Sequence, residues 1–191
     1  MIAEIPPAPP PPFYTERLIL REFRKSDLEA IHEYGSDPEV SRFMDWGPNT
    51  LAQSREVLER FLERQSAAPP HELNLAVEVA AEGRMIGSVR LDLKDTVNRT
   101  ADLGYSIHRD YWGRGLVTEA CQELLQIAFG DMRLHRVWAT CDARNVGSYR
   151  VMEKVGMRRE GVLRKGTLRK DGWRDTLLYA ILAEEWRGAR T

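Results

Sequence analysis

Apolar and polar residues alternate over several short stretches of this chain, which is the pattern of β-strands that bury one face. The stretches with this alternation cover residues 17–23, 73–79, 84–93, 101–108 and 136–142. The chain closes with EGVLRKGTLRK and WRDTLLYAIL on either side of the turn Lys170-Asp171-Gly172, which predicts a β-hairpin. We therefore expect a sheet whose last two strands are neighbours.

Two helices are predicted between the first and the second of these strands. Ser26 and Glu29 form a capping-box pattern that opens a helix through roughly Tyr34. Thr50 and Gln53 repeat the pattern before LAQSREVLERFLERQ. The apolar face of this second helix is formed by Leu51, Leu58, Phe61 and Leu62.

Two more helices are predicted in the second half of the chain. A long helix over 117–129 follows the strand at 101–108 and ends at Gly130. Asn145 can cap a short helix that runs to Val155 and stops at Gly156. This order of strand, two helices, several strands, helix, strand, helix and hairpin predicts an α/β sheet with antiparallel hairpins and at least one crossover. It does not match a doubly wound fold.

Composition indicates one ordinary globular domain. The 191 residues are 42% hydrophobic and 30% charged, and a chain of this length can bury a sizeable core. The stretch PPAPPPP at 6–12 cannot join a helix or a central strand, because proline lacks the N–H group and fixes φ. We therefore expect a disordered, extended, proline-rich tail at 1–12 and a single domain at 13–191.

Charge and cysteine usage indicate the cellular compartment and the kind of ligand. No apolar run approaches the roughly 20 residues of a membrane span, and Cys121 and Cys141 are interpreted as buried hydrophobes in a reducing compartment. We expect a cytoplasmic protein that binds neither membrane nor nucleic acid. Residues 101–191 carry 16 basic and 12 acidic groups, which suits an anionic ligand. The four histidines are scattered, so no metal site is predicted.

A loop with two glycines, Trp112-Gly113-Arg114-Gly115-Leu116-Val117, joins the strand at 101–108 to the long helix. Free backbone N–H groups and the positive end of a helix dipole make such a loop an anion site. The loop is not a Walker A sequence, since no Gly-Lys-Ser/Thr follows, and it lacks the third glycine of a dinucleotide fingerprint. Taken alone, it leaves a plain turn and an anion site as equal alternatives.

Separated blocks of the chain, in order, resemble the GNAT superfamily of acyl-CoA N-acyltransferases, and within it the RimJ/RimL-like group, the ribosomal-protein-alanine N-acetyltransferase-like enzymes. The blocks are TERLILREF, DPEVSRFMDWGP, LGYSIHRDYWGRGLVTEA, ARNVGSYRVMEKVGM and WRDTLLYAILAEEW. The resemblance covers nearly everything after the proline-rich tail. It implies the GNAT fold, a mixed and mostly antiparallel twisted sheet with two central strands splayed around the acyl-CoA and helices on both faces, in a monomer or homodimer.

The resemblance also implies acetyl-CoA as co-substrate. The family's Arg/Gln-x-x-Gly-x-Gly/Ala pattern, whose amides bind the pyrophosphate, falls on Trp112, Gly115 and Val117. Trp112 replaces Arg or Gln, and Val117 replaces Gly or Ala and could crowd a phosphate. Arg114 either supplies compensating charge or is a solvated loop arginine. The residues expected at the cofactor are Tyr105, Ser106, Ile107, His108, Trp112, Gly113, Arg114, Gly115, Leu116, Val117, Thr118, Asn145, Ser148 and Tyr149.

Acetylation of an amine needs a group that removes the amine's proton. Asp102 begins the strand expected beside the pantetheine arm, where the resemblance implies a glutamate, so it is the leading candidate for the general base. The other interpretation of Asp102 is an exposed carboxylate at a strand end. Asp92 and His108 are weaker candidates. Direct attack by the amine is the simplest mechanism, since neither cysteine has a partner that would activate it.

The leaving thiolate needs a proton, and the resemblance implies where that proton is held. Met152 stands where many GNAT members place a tyrosine, and it cannot donate. Asn145 and Ser148 match the family's Asn-x-x-Ser/Ala pattern, which implies pantetheine contacts and, for Ser148, the acid. Tyr149 or solvent are the alternatives for the acid. Asn145 is interpreted as a helix N-cap, a cofactor contact or both.

Three functions remain open on the sequence alone. The first is acetyl transfer to the N-terminal α-amine of a protein, the second is transfer to a small amine such as an antibiotic, amino acid or polyamine, and the third is a non-catalytic acyl-CoA-binding module. An α-amine has a pKa of about 7.7–8.0 against about 10.4 for lysine, so at neutral pH lysine costs about 3.5 kcal/mol more to deprotonate. A weak base therefore favours the α-amine.

Overall fold

The computed structural model describes residues 5–66 and 72–186. Residues 1–4 of the predicted proline-rich tail and residues 187–191 of the predicted domain lie outside this range. The strands are β1 Phe13–Tyr14, β2 Leu18–Arg21, β3 Glu72–Val79, β4 Arg84–Asp95, β5 Thr100–Ile107, β6 Arg136–Asp142, β7 Arg158–Arg169 and β8 Gly172–Leu182. The longer helices are α1 Leu28–Ser36, α2 Leu51–Gln65, α3 Leu116–Gln126 and α4 Val146–Lys154.

All of these strands form one sheet in the order β1-β2-β3-β4-β5-β6-β8-β7. Each neighbouring pair is antiparallel except β5 and β6, which are parallel and are joined by the crossover through α3. The strands predicted from alternation, the crossover and the closing hairpin are confirmed. The expected fold class, a mixed and mostly antiparallel sheet, is therefore also confirmed.

The two central strands diverge soon after they meet. β5 and β6 pair only at residues 100–102 and 136–138. Beyond Asp102, β5 continues to pair with β4 up to Ile107, and β6 continues to pair with β8 up to Asp142. The facing edges of β5 and β6 are thus left without ladder partners, which opens a V-shaped gap in the middle of the sheet. This is the splayed pair that the resemblance implied.

Helices cover both faces of the sheet. α1 and α2 pack on one face in a cluster that includes Phe23, Ile31, Leu58 and Met85. α3 and α4 pack on the other face, where the larger core cluster lies. Its fully buried side chains include Leu18, Leu20, Leu75, Ile86, Leu91, Leu124, Leu125, Leu134, Met152 and Ile181. Successive side chains of β3 point to opposite faces of the sheet. Leu75 and Val77 therefore face the large cluster, and Ala76 faces the small one.

Two of the predicted helix starts hold in the structure. The Thr50 hydroxyl accepts from the Gln53 backbone N–H at 3.3 Å, and the Gln53 side chain accepts from the Thr50 N–H at 2.8 Å, which completes the capping box of α2. Asn145 Oδ1 accepts from the Ser148 N–H at 3.1 Å and caps α4. Gly156, at φ +90°, ends that helix in the left-handed region as predicted.

The capping box predicted at Ser26 and Glu29 is wrong. The chain first makes a 3₁₀ turn over Lys25–Asp27, and α1 begins at Leu28. Asp27, not Ser26, closes this start, because its Oδ2 accepts from the Arg24 N–H at 2.8 Å. A buried arginine also holds the Asp27 carboxylate, and the sequence pattern could not reveal that partner.

The predicted end of the long helix is also wrong. α3 ends at Gln126 and continues as a wider π turn over Ile127–Asp131, closed by a hydrogen bond from the Met132 N–H to the Ile127 carbonyl. Gly130 lies inside that turn. The first residue in the left-handed region comes later, at Arg133 with φ +51°.

The described part of the proline-rich segment lies against the domain. Ile5 and Ala8 are partly buried and pack on the large core cluster. Residues 5–12 therefore lie on the domain surface, with apolar side chains in contact with the core, and this part of the segment is not fully solvated. No helix among the described residues is long and apolar enough to cross a membrane.

Candidate active site

A loop rich in positive φ angles follows β5 and leads into α3. Gly113 and Gly115 have φ of +73° and +79°, which a residue with a Cβ adopts only with strain. The Trp112 indole N–H donates to the Ile107 carbonyl at 3.0 Å and holds the start of the loop. Within the described residues, none of the backbone N–H groups of 113–118 has a hydrogen-bond partner. The loop therefore presents a run of free donors at a helix N-terminus, as an anion site requires.

The connection between β1 and β2 anchors this loop to the domain. Arg17 donates from its guanidinium to the Arg114 carbonyl at 3.0 Å and to Glu119 on α3 at 2.7 Å. Thr15 donates to the same carboxylate at 2.6 Å. Burial alone would raise the pKa of Glu119, but the hydrogen bonds from Thr15 and Arg17 outweigh it and lower that pKa. A charged carboxylate thus fixes the loop, and nothing in the sequence pattern indicated this role for Arg17 or Glu119.

A cavity of about 430 Å³ opens between this loop, the free edge of β5 and α4. Of the residues predicted at the cofactor, it is lined by Tyr105, Ser106, Ile107, Trp112, Gly113, Gly115, Leu116, Val117, Thr118, Asn145 and Ser148. The segment 39–44 after α1 forms the opposite wall, which sequence reasoning missed. The cavity lining also contains three basic side chains, Arg42, Arg150 and Lys154, and one carboxylate, Glu39. The lining is therefore positively charged overall.

Three residues predicted at the cofactor do not line this cavity. His108 turns toward its own loop, where Nδ1 accepts from the Asp110 N–H at 3.2 Å. The Arg114 guanidinium lies over the Tyr111 ring, 4.9 Å from its centroid. Tyr149 lies one residue past Ser148 on α4, packs on the large core cluster and contacts the Arg150 guanidinium. The loop after β5 directs the side chains of His108 and Arg114 elsewhere, and α4 directs Tyr149 toward the core cluster.

A second cavity of about 450 Å³ lies on the α1 and α2 face of the sheet. Its floor is formed by β3, β4 and β5, and its walls by the two helices, the segment 43–46 and Arg169 near the turn of the closing hairpin. The two cavities share Phe43, Met44, Tyr105, Ser106, Asn145 and Ser148 in their linings. They therefore meet at the gap between β5 and β6, and a molecule in each could touch the other there.

Ser148 lies at this junction with its hydroxyl held by Tyr105. The Tyr105 hydroxyl donates to the Ser148 carbonyl at 2.8 Å and lies 3.0 Å from Ser148 Oγ. Burial raises the pKa of Tyr105 well above its ordinary value, so the phenol stays protonated. Because the one hydrogen of the phenol satisfies the carbonyl, Ser148 Oγ is the donor in the 3.0 Å contact, and rotation of its hydroxyl can redirect that hydrogen to a ligand.

Cys141 and Met152 complete the surroundings of Ser148. Burial raises the pKa of the Cys141 thiol to about 11, partly offset by its hydrogen bond with Ser148. The thiol therefore stays protonated at neutral pH and is a poor nucleophile. Met152 is fully buried in the core and has no proton to give. Of these groups, the serine hydroxyl is the one placed to donate at the junction.

Asp102 lines the second cavity at the point where β5 and β6 separate. Its Oδ2 accepts from Arg90 Nη2 at 2.7 Å. Burial raises the pKa of Asp102, while the charges of Arg90 and Lys94 act against that rise. A carboxylate with a raised pKa is a better proton acceptor than an exposed aspartate. Asp92, directly opposite on β4, lines neither cavity.

Gly104 leaves room for the Arg90 side chain on the floor of this cavity. A Cβ at Gly104 would lie 3.1 Å from Arg90 Nη2 and 3.2 Å from its Nε. The guanidinium thus lies flat against the backbone of β5, held by Asp102 on one side. Within the described residues, no three side chains of His, Cys, Asp or Glu cluster as a metal site would require.

Comparison with known proteins agrees with this geometry. The Acetyltransferase (GNAT) domain family matches residues 17–158. "Uncharacterized N-acetyltransferase YnaD" of Bacillus subtilis is 36% identical over 172 residues, which cover 90% of this chain and 97% of that protein. A crystal structure of a GNAT-family acetyltransferase from Bacillus anthracis superposes with a TM-score of 0.81 at 35% identity, covering 92% of this chain and 100% of that one.

Two relatives with stated acceptors differ from each other in chemistry. "[Ribosomal protein uS5]-alanine N-acetyltransferase" of Escherichia coli is 30% identical over 88 residues, covering 46% of this chain and 45% of that protein. "Spermidine N(1)-acetyltransferase" of the same species is 23% identical over 168 residues, covering 87% of each chain. The family, the fold and the two cavities that meet at the splayed strands agree, and the chain belongs to the GNAT acetyltransferase family, as an acyltransferase.

Proposed function

We propose that this acetyltransferase uses acetyl-CoA as donor and acetylates the N-terminal α-amine of a protein directly, as RimJ/RimL-like enzymes do. The observation that carries the proposal is the meeting of two cavities beside Ser148. One cavity has the free amides and positive charge that suit a pyrophosphate. The other opens on the opposite face of the sheet, where an amine can reach the same point. Direct transfer needs this arrangement and no covalent intermediate.

The residues of the first cavity fit acetyl-CoA. The amides of 113–118 would bind the pyrophosphate, and the free edge of β5 from Leu103 to Ile107 would pair with the pantetheine amides. Val117 lines the cavity, and its backbone N–H has no hydrogen-bond partner among the described residues. When bound, acetyl-CoA supplies a thioester whose acyl group is activated toward an amine. The protein's contribution is to orient it and to keep water out.

Two side chains are assigned proton roles. Asp102 accepts the proton of the incoming ammonium at a carboxylate oxygen, directly or through a water, and burial helps it by raising its pKa. Ser148 Oγ donates a proton on the side of the leaving sulfur, with its orientation held by Tyr105. Asp102 lines the second cavity, which we call the acceptor cavity, and Ser148 lines both cavities. The proposed base therefore lies on the side of the amine, and the proposed acid lies where the two substrates would meet.

The α-amine is the acceptor best matched to this base. Its pKa of about 7.7–8.0 lets a substantial fraction enter neutral, whereas a lysine amine of pKa about 10.4 would demand a stronger base. The relative that acetylates a ribosomal-protein alanine supports the same class. The spermidine acetyltransferase relative supports the small-amine alternative.

The test is thiol release from acetyl-CoA with a panel of amines. The panel contains peptides with a free N-terminus, the same peptides N-acetylated but carrying an internal lysine, free amino acids, polyamines and aminoglycosides. We expect the free N-terminal peptides to give the highest kcat/KM. A higher value for a small amine would establish the alternative, and cofactor binding without thiol release for any amine would indicate a non-catalytic module.

A further inference from the structure

The acceptor cavity is lined by as many arginines as carboxylates, but one of those carboxylates is neutralised by an arginine outside the lining. Four arginines line it, namely Arg60, Arg64, Arg90 and Arg169, together with the carboxylates of Asp45, Glu72, Asp102 and Asp142. Three of these carboxylates already have a partner. Glu72 pairs with Arg64 at 2.6 Å, Asp102 with Arg90 at 2.7 Å, and Asp142 with Arg144 at 2.8 Å.

Arg60 and Arg169 have no close partner among the described residues, and of the two only Arg169 is largely shielded from solvent. Its side chain is only 20% exposed, and no hydrogen bond joins it to another side chain or carbonyl of the described residues. Its Nε is buried and unpaired, and the nearest carboxylate oxygen is Asp45 Oδ1 at 3.8 Å. Asp45 is itself 77% exposed, so water screens that pair. A mostly buried guanidinium with so little compensation is costly unless a ligand supplies the missing anion.

Arg169 brings this charge to the cavity wall from the closing hairpin. Arg169 is the last residue of β7 and pairs with Gly172 across the hairpin turn. The next residue, Lys170, donates from Nζ to the Trp46 carbonyl at 3.1 Å, which joins the hairpin turn to the segment 43–46 on the cavity wall. A cation held there would bind a second group of the acceptor, whose amine must reach Ser148 in the same cavity.

We propose that Arg169 binds a carboxylate carried by the acceptor, so that this enzyme prefers amines whose molecule also bears a negative charge near the amine. The inference rests on the proposed acetyl transfer at the same site. A carboxylate matches the planar guanidinium with two parallel hydrogen bonds. It also brings one negative charge, whereas a doubly charged phosphate would meet the carboxylates of Asp45 and Glu72 in the same cavity. A polyamine would find every buried carboxylate already paired.

The carboxylate could come from a protein N-terminus with an acidic second residue or from a small amino-acid-like molecule. One pair of probes is the amidated peptides Ala-Asp-Ala-Ala-Ala and Ala-Asn-Ala-Ala-Ala. The other pair is the dipeptide alanyl-alanine and its C-terminal amide. Within each pair the acetylated amine belongs to the same residue type, and the carboxylate is exchanged for an amide.

We expect the wild-type enzyme to favour the carboxylate member of at least one pair by about 10- to 150-fold in kcat/KM, since hydrogen bonds to charged groups have this strength. Preference in the peptide pair indicates a protein acceptor, and preference in the dipeptide pair indicates a small one. Arg169→Gln should reduce the preference to near unity, mostly by raising the KM of the carboxylate members. Arg164→Gln is the matched control, because Arg164 is exposed on the same strand and outside both cavities.

Equal rates for both members of both pairs, or a preference that survives in Arg169→Gln, would overturn the inference while leaving acetyl transfer standing. A preference for spermidine over all four probes would overturn it as well. Calorimetry of the same probes with the CoA-loaded protein separates the two proposals. We expect the wild type to bind the Asp and Asn peptides, or the dipeptide and its amide, with different Kd values. If Arg169→Gln loses that difference, the carboxylate site is supported even when no thiol is released. The absence of such a difference overturns the site.

Discussion

The hydroxyl of Ser148 is held at the junction by Tyr105, and the two side chains come from α4 and β5. The phenol that many family members carry on this helix is replaced here by Met152, yet a phenol is still present beside the serine. Tyr105 reaches it from the facing strand. At the scale of single residues, the proposed acid is therefore a serine hydroxyl oriented by a second hydroxyl.

Ser148→Ala should lower kcat by roughly 10²-fold or more, with little change in acetyl-CoA binding, because an acid acts mainly in the transition state. Tyr105→Phe should cost less, since the serine hydroxyl remains but loses the group that orients it. Steady-state kinetics with acetyl-CoA as the varied substrate, and CoA binding by calorimetry, measure the two effects separately. If Ser148→Ala turns over at the wild-type rate, the proton comes from another group or from water.

Asp102→Asn should cut kcat by roughly 10²–10⁴-fold, the usual contribution of a general base. Because burial raises the pKa of Asp102, the wild-type rate should fall on acidification at a pH above the ordinary aspartate range near 3.9, as the carboxylate takes up a proton. This fall of the rate at acidic pH is the acid limb of the pH profile, and it should disappear in Asp102→Asn. The residual rate should then rise with pH as the amine loses its own proton.

The pH profile distinguishes the base from a merely structural carboxylate, which would change stability and leave the acid limb in place. Asp92→Asn is the comparison, because Asp92 lies across from Asp102 on β4 and outside both cavities. An unchanged profile in Asp102→Asn would mean that the amine enters neutral, and proximity would then supply the rate.

At the scale of elements, the loop between β5 and α3 combines two strained backbone positions with free amides. Glycine is favoured at Gly113 and Gly115 because both lie in the left-handed region. The sequence pattern indicated the loop as an anion site and not this backbone conformation. The loop is anchored to the rest of the protein by Arg17 and Glu119, which lie about a hundred positions apart along the chain. No local pattern could indicate that contact.

Gly115→Asp should abolish the rise in melting temperature that acetyl-CoA produces. The new side chain adds strain at φ +79° and a negative charge to the loop that is proposed to bind the pyrophosphate, with its Cβ 3.6 Å from Arg17 Nη2. In the wild type, ligand at about 100 times Kd should add about 2.7 kcal/mol, a shift of about 5 °C or more for a protein of this size.

Gly83→Asp controls for strain and charge in this experiment. Gly83 has φ of +60°, lies in the turn between β3 and β4 and has open space around it. This variant should lose stability and still respond fully to acetyl-CoA. An equal response of Gly115→Asp and Gly83→Asp would remove the loop from the cofactor site.

At the scale of the whole molecule, a network of buried charged side chains joins strands β2 and β3 to the start of α1. Arg21 donates to Asp27 at 2.8 and 2.9 Å and to Glu78 at 2.6 Å, and all three side chains are largely buried. The hydrogen bond to Asp27 raises the pKa of Arg21, so the arginine stays charged at every pH of interest. The network links β2, β3 and the start of α1, and with them the floor and wall of the acceptor cavity.

Arg21→Met should lower the free energy of unfolding by about 3–5 kcal/mol, because it leaves two carboxylates buried without their counter-charge. Arg84→Met is the control, since Arg84 and Glu33 form an exposed pair at 2.9 Å that contributes about 1 kcal/mol or less. Urea denaturation followed by fluorescence measures both. Similar small losses in the two variants would show that solvent reaches the Arg21 network.

The sequence by itself determined the strands, most helix ends, the fold class and the family, because alternation, caps and turn glycines are local and act wherever they occur. It also indicated the glycine loop and the serine. Only the tertiary structure decided that His108, Arg114 and Tyr149 point away from the cavity, that Asp102 pairs with Arg90, and that Tyr105 orients Ser148. The same holds for Arg169, whose charge has meaning only beside its neighbours in the cavity. These facts depend on which side chains meet across the gap between β5 and β6, and such contacts join residues far apart in sequence whose directions no local period specifies.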